Sequence, residues 1–166
     1  IYTGEGKGKT TAALGLAIRA AGQGLRVLII QFMKEAVKSG EAKFLKGQKQ
    51  IQLFAFGQSW VSQREATKQQ LAASLQPGYE LALKELQQNN YDLIILDELI
   101  TACSLGLLAE SKVVKLLKAK QPQIEVVLTG RGATPELIAL ADLVTEMKLI
   151  KHPYEKGIKA RKGVEY

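Results

Sequence analysis

Thr3-Gly4-Glu5-Gly6-Lys7-Gly8-Lys9-Thr10-Thr11 lies almost at the start of the 166-residue chain, and its reading decides the fold. Glycines at positions 4, 6 and 8 let the backbone turn tightly with its N–H groups pointing inward, as a cradle for phosphate does. Lys9 adds a point charge, and Thr10 adds a hydroxyl suited to a divalent cation. Ala12 to Ala21 has helical composition, so the loop opens a helix whose N-terminal dipole faces the anion. Against the P-loop pattern G-x-x-x-x-G-K-[ST], the first glycine position holds Thr3 and Gly4 stands one residue late. A glycine-rich turn capping an ordinary helix would use the same residues. Gly8-Lys9-Thr10-Thr11 at the mouth of a helix, joined to a second, acidic motif, favours nucleotide phosphate.

Composition sets the outer bounds. A chain of this length forms one domain with a sizeable core, and its 46% hydrophobic content is ordinary for a globular protein. No stretch reaches the roughly 18 apolar residues of a membrane span. Cys103 is the only cysteine; it excludes an internal disulfide, fits a reducing compartment, and reads as a structural thiol in an apolar helix. No signal peptide is visible, and the expected location is the cytoplasm. Against 16 acidic residues stand 23 Lys and Arg, a net +7 that asks for a polyanion and is partly concentrated in the tail 151–166. Only Ile1-Tyr2 precede the loop, so the first strand reads as shortened.

Strand and helix signals alternate along the chain. Leu25 to Phe32 is a continuous apolar run bounded by glycine, a strand buried on both faces. Met33 to Lys49 reads as loop plus a short helix, and Ile51 to Phe56 as a strand closed by Gly57. Residues 58–76 read as a mobile, partly helical connection, with Pro77 starting a helix that continues over Tyr79 to Gln88. Tyr91 to Leu96 is a buried strand ending in Asp97-Glu98. Helical pieces follow at Ile100–Gly106 and Ser111–Lys118, then a strand at Ile124–Leu128 delivering Thr129-Gly130-Arg131-Gly132. A short helix at Pro135–Ala141 and a last strand at Leu143–Ile150 precede the basic tail. The expected architecture is an α/β, single-domain P-loop (RecA-like) fold over residues 1–166, a mainly parallel, doubly wound sheet with helices on both faces.

Two further sites carry chemistry. In such folds the apolar strand ending in Asp is expected beside the loop's strand, its carboxylate reaching a metal directly or through water. Asp97 takes that role, with Glu98 placing a nucleophile or supporting the metal shell; a helix N-cap is the plainer alternative. Arg131, among glycines at the carboxyl end of a strand, supplies a bidentate clamp for phosphate or is an exposed turn residue. Arg19, two turns into the first helix, either reaches back to phosphate or faces solvent.

The glycine loop, Gln31-Phe32-Met33-Lys34, Leu96-Asp97-Glu98-Leu99, Thr129 to Ala133, Ala141 to Met147 and the ending Lys151 to Tyr166 together resemble the P-loop corrinoid (cob(I)alamin or cob(I)yrinic acid a,c-diamide) adenosyltransferases, end to end. The resemblance implies that Co(I) of a reduced corrinoid attacks C5′ of ATP and that triphosphate leaves intact. Gly4, Glu5, Gly6, Lys7, Gly8, Lys9, Thr10 and Thr11 would hold ATP with Arg19, Glu98 and Arg131. Lys9, Thr10 and Arg131 would carry catalysis, and Thr10 and Asp97 would hold Mg2+ or Mn2+. Co(I) is itself a strong nucleophile, which explains why no Ser, Cys or His needs activation. The family binds the corrinoid with its lower axial ligand displaced by aromatics of a G-x-G-F-x-W segment. Here that segment reads Gly57-Gln58-Ser59-Trp60-Val61-Ser62, so Trp60 is assigned to the corrinoid and one aromatic is missing. Glu5 is a second departure, a carboxylate beside the triphosphate that a metal or Lys7 must offset.

The resemblance further implies a homodimer and an electron-donating flavoprotein reductase as partner, with no nucleic-acid or membrane partner. Within the same fold, the alternative is an ATPase or kinase in which Glu98 places water or a hydroxyl. A basic nucleic-acid-binding module is a third class, without the aromatic-interleaved basic strand that such modules use.

Overall fold

The computed structural model describes residues 1–34, 39–57 and 66–164. Four parallel strands form its centre in the order β3-β2-β4-β5: β2 is Val27–Phe32, β3 Ile51–Phe56, β4 Leu93–Asp97 and β5 Glu125–Leu128. A bridge between Tyr2 and Thr129 continues the sheet into a second pair, β1 (Tyr2–Thr3) with β6 (Thr145–Glu146), also parallel. Every residue of β2 and β4 is buried, as expected of central parallel strands covered on both faces.

Strand alternation sorts the core into two layers. Leu28, Ile30, Phe32, Ile94, Leu96 and Leu128 face α3 (Lys68–Gln87), α4 (Leu99–Ser104) and α5 (Glu110–Ala119). Val27, Ile29, Leu93, Ile95 and Val127 face α1 (Lys9–Gly22), which contributes Ala13, Ala17 and Ala20, and α2 (Gly40–Leu45), which contributes Leu45. Alanines at helical spacing bring α1 close to the sheet, so the loop ahead of it lies over the carboxyl ends of the strands. The remaining helix, α6, spans Pro135–Leu140.

Three expectations are corrected. First, β5 stands between the loop's strand and the Asp97 strand, which are therefore not neighbours. Second, Pro77 does not start a helix: α3 is capped by Thr67, whose side chain and Gln70 form a reciprocal capping box, and runs from Lys68 through Pro77 to Gln87. An interior proline costs about 3 kcal/mol. Burying Leu71, Leu75 and Tyr79 on the same stripe returns roughly 1.5–3 kcal/mol for each apolar side chain, so packing wins. Third, the last strand covers only Thr145–Glu146, paired with Tyr2–Thr3, because beyond it the Met147 carbonyl turns to the glycine loop at Gly6 N–H, and Leu143 and Ile150 stay 61% and 81% exposed.

Among the described residues, no helix is long and apolar enough to cross a membrane. Cys103 is partly buried in α4, and burial pushes its thiol up to about 11, which keeps it protonated and inert.

Candidate active site

The loop is built against the segment that follows β6. Gly6 N–H donates to Met147 O at 2.6 Å, and Met147 N–H donates to Thr3 O at 2.8 Å. Gly4 has φ +95°, and a Cβ on either Gly4 or Gly6 would lie 2.6 Å from Met147 O. The two glycines thus answer a close backbone approach. Thr3, at the position where the general pattern has glycine, is a strand residue 8% exposed, with its hydroxyl accepting from Ala133 N–H at 3.4 Å.

Lys9 opens α1 and is 6% exposed. Its ammonium donates to Gly4 O at 2.6 Å and Gly6 O at 2.8 Å, stapling the loop across itself. Burial holds its pKa below the ordinary lysine value, and the nearby Arg131 guanidinium adds to this.

Asp97 ends β4 and is 1% exposed. Its Oδ1 accepts from the hydroxyls of Thr10 at 2.9 Å and Thr129 at 2.7 Å. Its Oδ2 accepts from the Gln31 amide at 3.1 Å and the Lys34 ammonium at 2.8 Å. Four elements therefore converge on one carboxylate. Asp97→Asn turns one oxygen into a donor facing other donors, and leaving such buried groups unsatisfied costs about 2 kcal/mol. At about 2–4 °C per kcal/mol for a chain of this size, thermal unfolding should move down by roughly 6 °C. An unchanged midpoint would contradict this account of the net.

Glu98 has a left-handed backbone, φ +61°. Its N–H donates to Thr129 Oγ1 at 2.9 Å, and its carboxylate accepts from Thr101 Oγ1 at 2.5 Å. Thr101 Oγ1 in turn accepts from Arg131 N–H at 2.9 Å, which fastens the Thr129–Gly132 turn to the first turn of α4. The Arg131 guanidinium is exposed and lies 3.4 Å from the Glu5 carboxylate.

A cleft of about 580 Å³ runs between these groups, lined by the loop, Lys34, Glu41, Glu98 and Arg131, and on the tail side by His152, Gly163 and Val164. That volume suits a nucleotide. Glu5, Gly6, Lys7, Gly8, Lys9, Thr10 and Thr11 all line it, while Asp97 lies beneath Thr10. Gly4 is in the floor of the loop. Arg19 is not brought in: it is exposed in the last turn of α1, roughly 15 Å along the axis from Lys9 at about 1.5 Å per residue. Trp60 lies outside the described residues.

In the sequence, Gln31-Phe32-Met33-Lys34 enters only through the family resemblance, and no site role falls to Gln31, Lys34 or Glu41. One signal was present, a single amide in the otherwise apolar strand Val27-Leu28-Ile29-Ile30-Gln31-Phe32, where a buried polar group needs a partner. The basic tail, read from the sequence through its charge and its place in the family resemblance, reaches the cleft: Lys7 Nζ donates to Val164 O at 2.9 Å, which draws residues 163–164 to the cleft rim.

A family model described as ATP:corrinoid adenosyltransferase BtuR/CobO/CobP matches residues 1–166. A corrinoid adenosyltransferase of Pseudomonas aeruginosa is 35% identical over 100% of this chain and 82% of its own length. One from Escherichia coli K12 is 35% identical over 100% of this chain and 84% of its own. The corrinoid adenosyltransferase CobA of Salmonella typhimurium is 36% identical, again over 100% of this chain and 84% of its own.

Proposed function

The chain belongs to the ATP:corrinoid adenosyltransferase family, and from that premise we infer how its cleft performs the ATP-dependent adenosylation of a corrinoid. The Co(I) electron pair forms a bond to C5′, the C5′–O5′ bond breaks, and its electrons leave on the triphosphate. Cobalt belongs to the substrate, so the protein's work is placement and charge neutralisation. The observation that carries the reading is a cleft whose walls supply Lys7, Lys9, Lys34, Arg131 and the glycine-loop backbone to one polyanion.

Lys9 turns from its own loop carbonyls to the phosphates. Arg131 leaves Glu5 for the departing anion, and the start of α1 presents its free N–H groups. Thr10 and Asp97 offer hard oxygens 2.9 Å apart, a donor set that fits Mg2+ or Mn2+, held directly or through water. Such an ion would supply positive charge to the leaving triphosphate. We assign the fold to the RecA-like P-loop class and residues 1–166 to one domain. The order in which β5 separates the loop strand from the Asp97 strand, and the loop at the mouth of α1, support this. A cytoplasmic homodimer supplied with electrons by a flavoprotein reductase completes the proposal.

The test is incubation with ATP and chemically reduced cobalamin. The expected products are adenosylated corrinoid and inorganic triphosphate. ADP without adenosylated corrinoid would instead establish the ATPase or kinase alternative. We also assign Trp60 to the lower face of the corrinoid: Trp60→Ala is expected to slow turnover from cob(II)alamin plus reductant far more than turnover from preformed Co(I). Equal activity of this variant and the parent with cob(II)alamin would remove that assignment.

A further inference from the structure

Asp97 has no free oxygen, and the cation that fills it belongs to the chain. The Lys34 ammonium is 2.8 Å from Asp97 Oδ2 and 3.8 Å from Glu41 Oε1, and the Gln31 amide spans the same two carboxylates at 3.1 and 3.4 Å. Asp97 is 1% exposed, whereas the Lys34 side chain is 30% exposed and lines the cleft. Among the described residues Lys34 is the one cation in this net, and its flexible four-carbon stem can swing into the cleft without backbone movement. A divalent ion at Asp97 and an ammonium on the same carboxylate repel strongly at such separations, so the two occupy the place in turn.

We propose that Lys34 guards Asp97. The ammonium holds the place of the divalent ion in the nucleotide-free protein. The phosphates of an incoming nucleotide draw it off, and Asp97 then receives the ion that the nucleotide carries. Free metal is thereby refused, and metal and nucleotide enter together. This inference rests on the reading of Thr10 and Asp97 as cation ligands.

The test is Mn2+ binding by the whole chain, read from the spectroscopic signal of free Mn2+, without nucleotide and then with ATP but no corrinoid. Without nucleotide, Lys34→Met is expected to bind Mn2+ roughly tenfold more tightly than the parent, because two carboxylates then share no internal cation. Lys34→Arg, which keeps the charge, should stay as weak as the parent. With ATP present, the advantage of Lys34→Met should fall to within about threefold, since the parent's lysine has already been withdrawn. Lys34→Gln carries the same expectation as Lys34→Met should the latter fail to fold. Nucleotide-free affinity equal in Lys34→Met, Lys34→Gln and the parent would overturn the guard, while ATP-dependent Mn2+ binding that is weakened by Asp97→Asn would still uphold the cation ligands. Asp97→Asn without effect on Mn2+ binding in the presence of ATP would overturn the ligand assignment itself.

Discussion

Lys9→Ala is expected to abolish adenosyl transfer while leaving a folded protein. The ammonium is nearly buried, and its partners are two carbonyls of the loop it opens, Gly4 O and Gly6 O. In the proposed mechanism those bonds give way when the nucleotide binds, because a triphosphate offers far stronger acceptors to the same ammonium. Removing one preorganised stabiliser of developing negative charge costs roughly 100- to 1,000-fold in rate. Here the lost group is a full charge, so at least the upper end applies. Turnover should be followed by the absorbance change on adenosylation, and inorganic triphosphate should lose affinity in parallel. A variant that retains a tenth of the parent's activity would show that Lys9 is merely a loop staple.

The second large effect is expected at Gly130, a position that touches no substrate in the proposed mechanism. Its φ is +143°, and a Cβ there would lie 2.4 Å from Thr101 N and 2.8 Å from Ile100 Cβ. Both obstacles belong to the first turn of α4, which cannot yield as a flexible side-chain tip would. Left-handed strain and overpacking together should cost Gly130→Ala about 4 kcal/mol, or roughly 12 °C in thermal midpoint. Activity should fall as well, because Thr129 on one side holds Asp97 and Arg131 on the other faces the cleft. A midpoint within about 2 °C of the parent would mean that the turn is looser than its hydrogen bonds to Ile100 and Thr101 imply.

Much of the fold was legible because its cues are local. The central strands announce themselves as continuous apolar runs, closed by glycine at Gly24 before β2 and by Asp97-Glu98 after β4. The glycine loop at the mouth of α1, which lines the cleft, was read from residue type and spacing alone. Pro77 misled for the same reason: its local cost is real, but the stripe from Leu71 to Leu86 that overrides it is a tertiary matter.

The sequence by itself therefore carried the glycine loop, the helix that it opens and the two short segments around Asp97 and Arg131 that line or underlie the cleft, since each is encoded within a few consecutive residues. Only the tertiary structure decided what meets across the sheet. Asp97 joins Gln31, 66 positions away, Thr10, 87 away, and Lys34, 63 away, and Gly6 meets Met147. Such contacts depend on strand order and register, which no short stretch carries, because chain distance and spatial distance become independent once parallel strands are joined by crossovers.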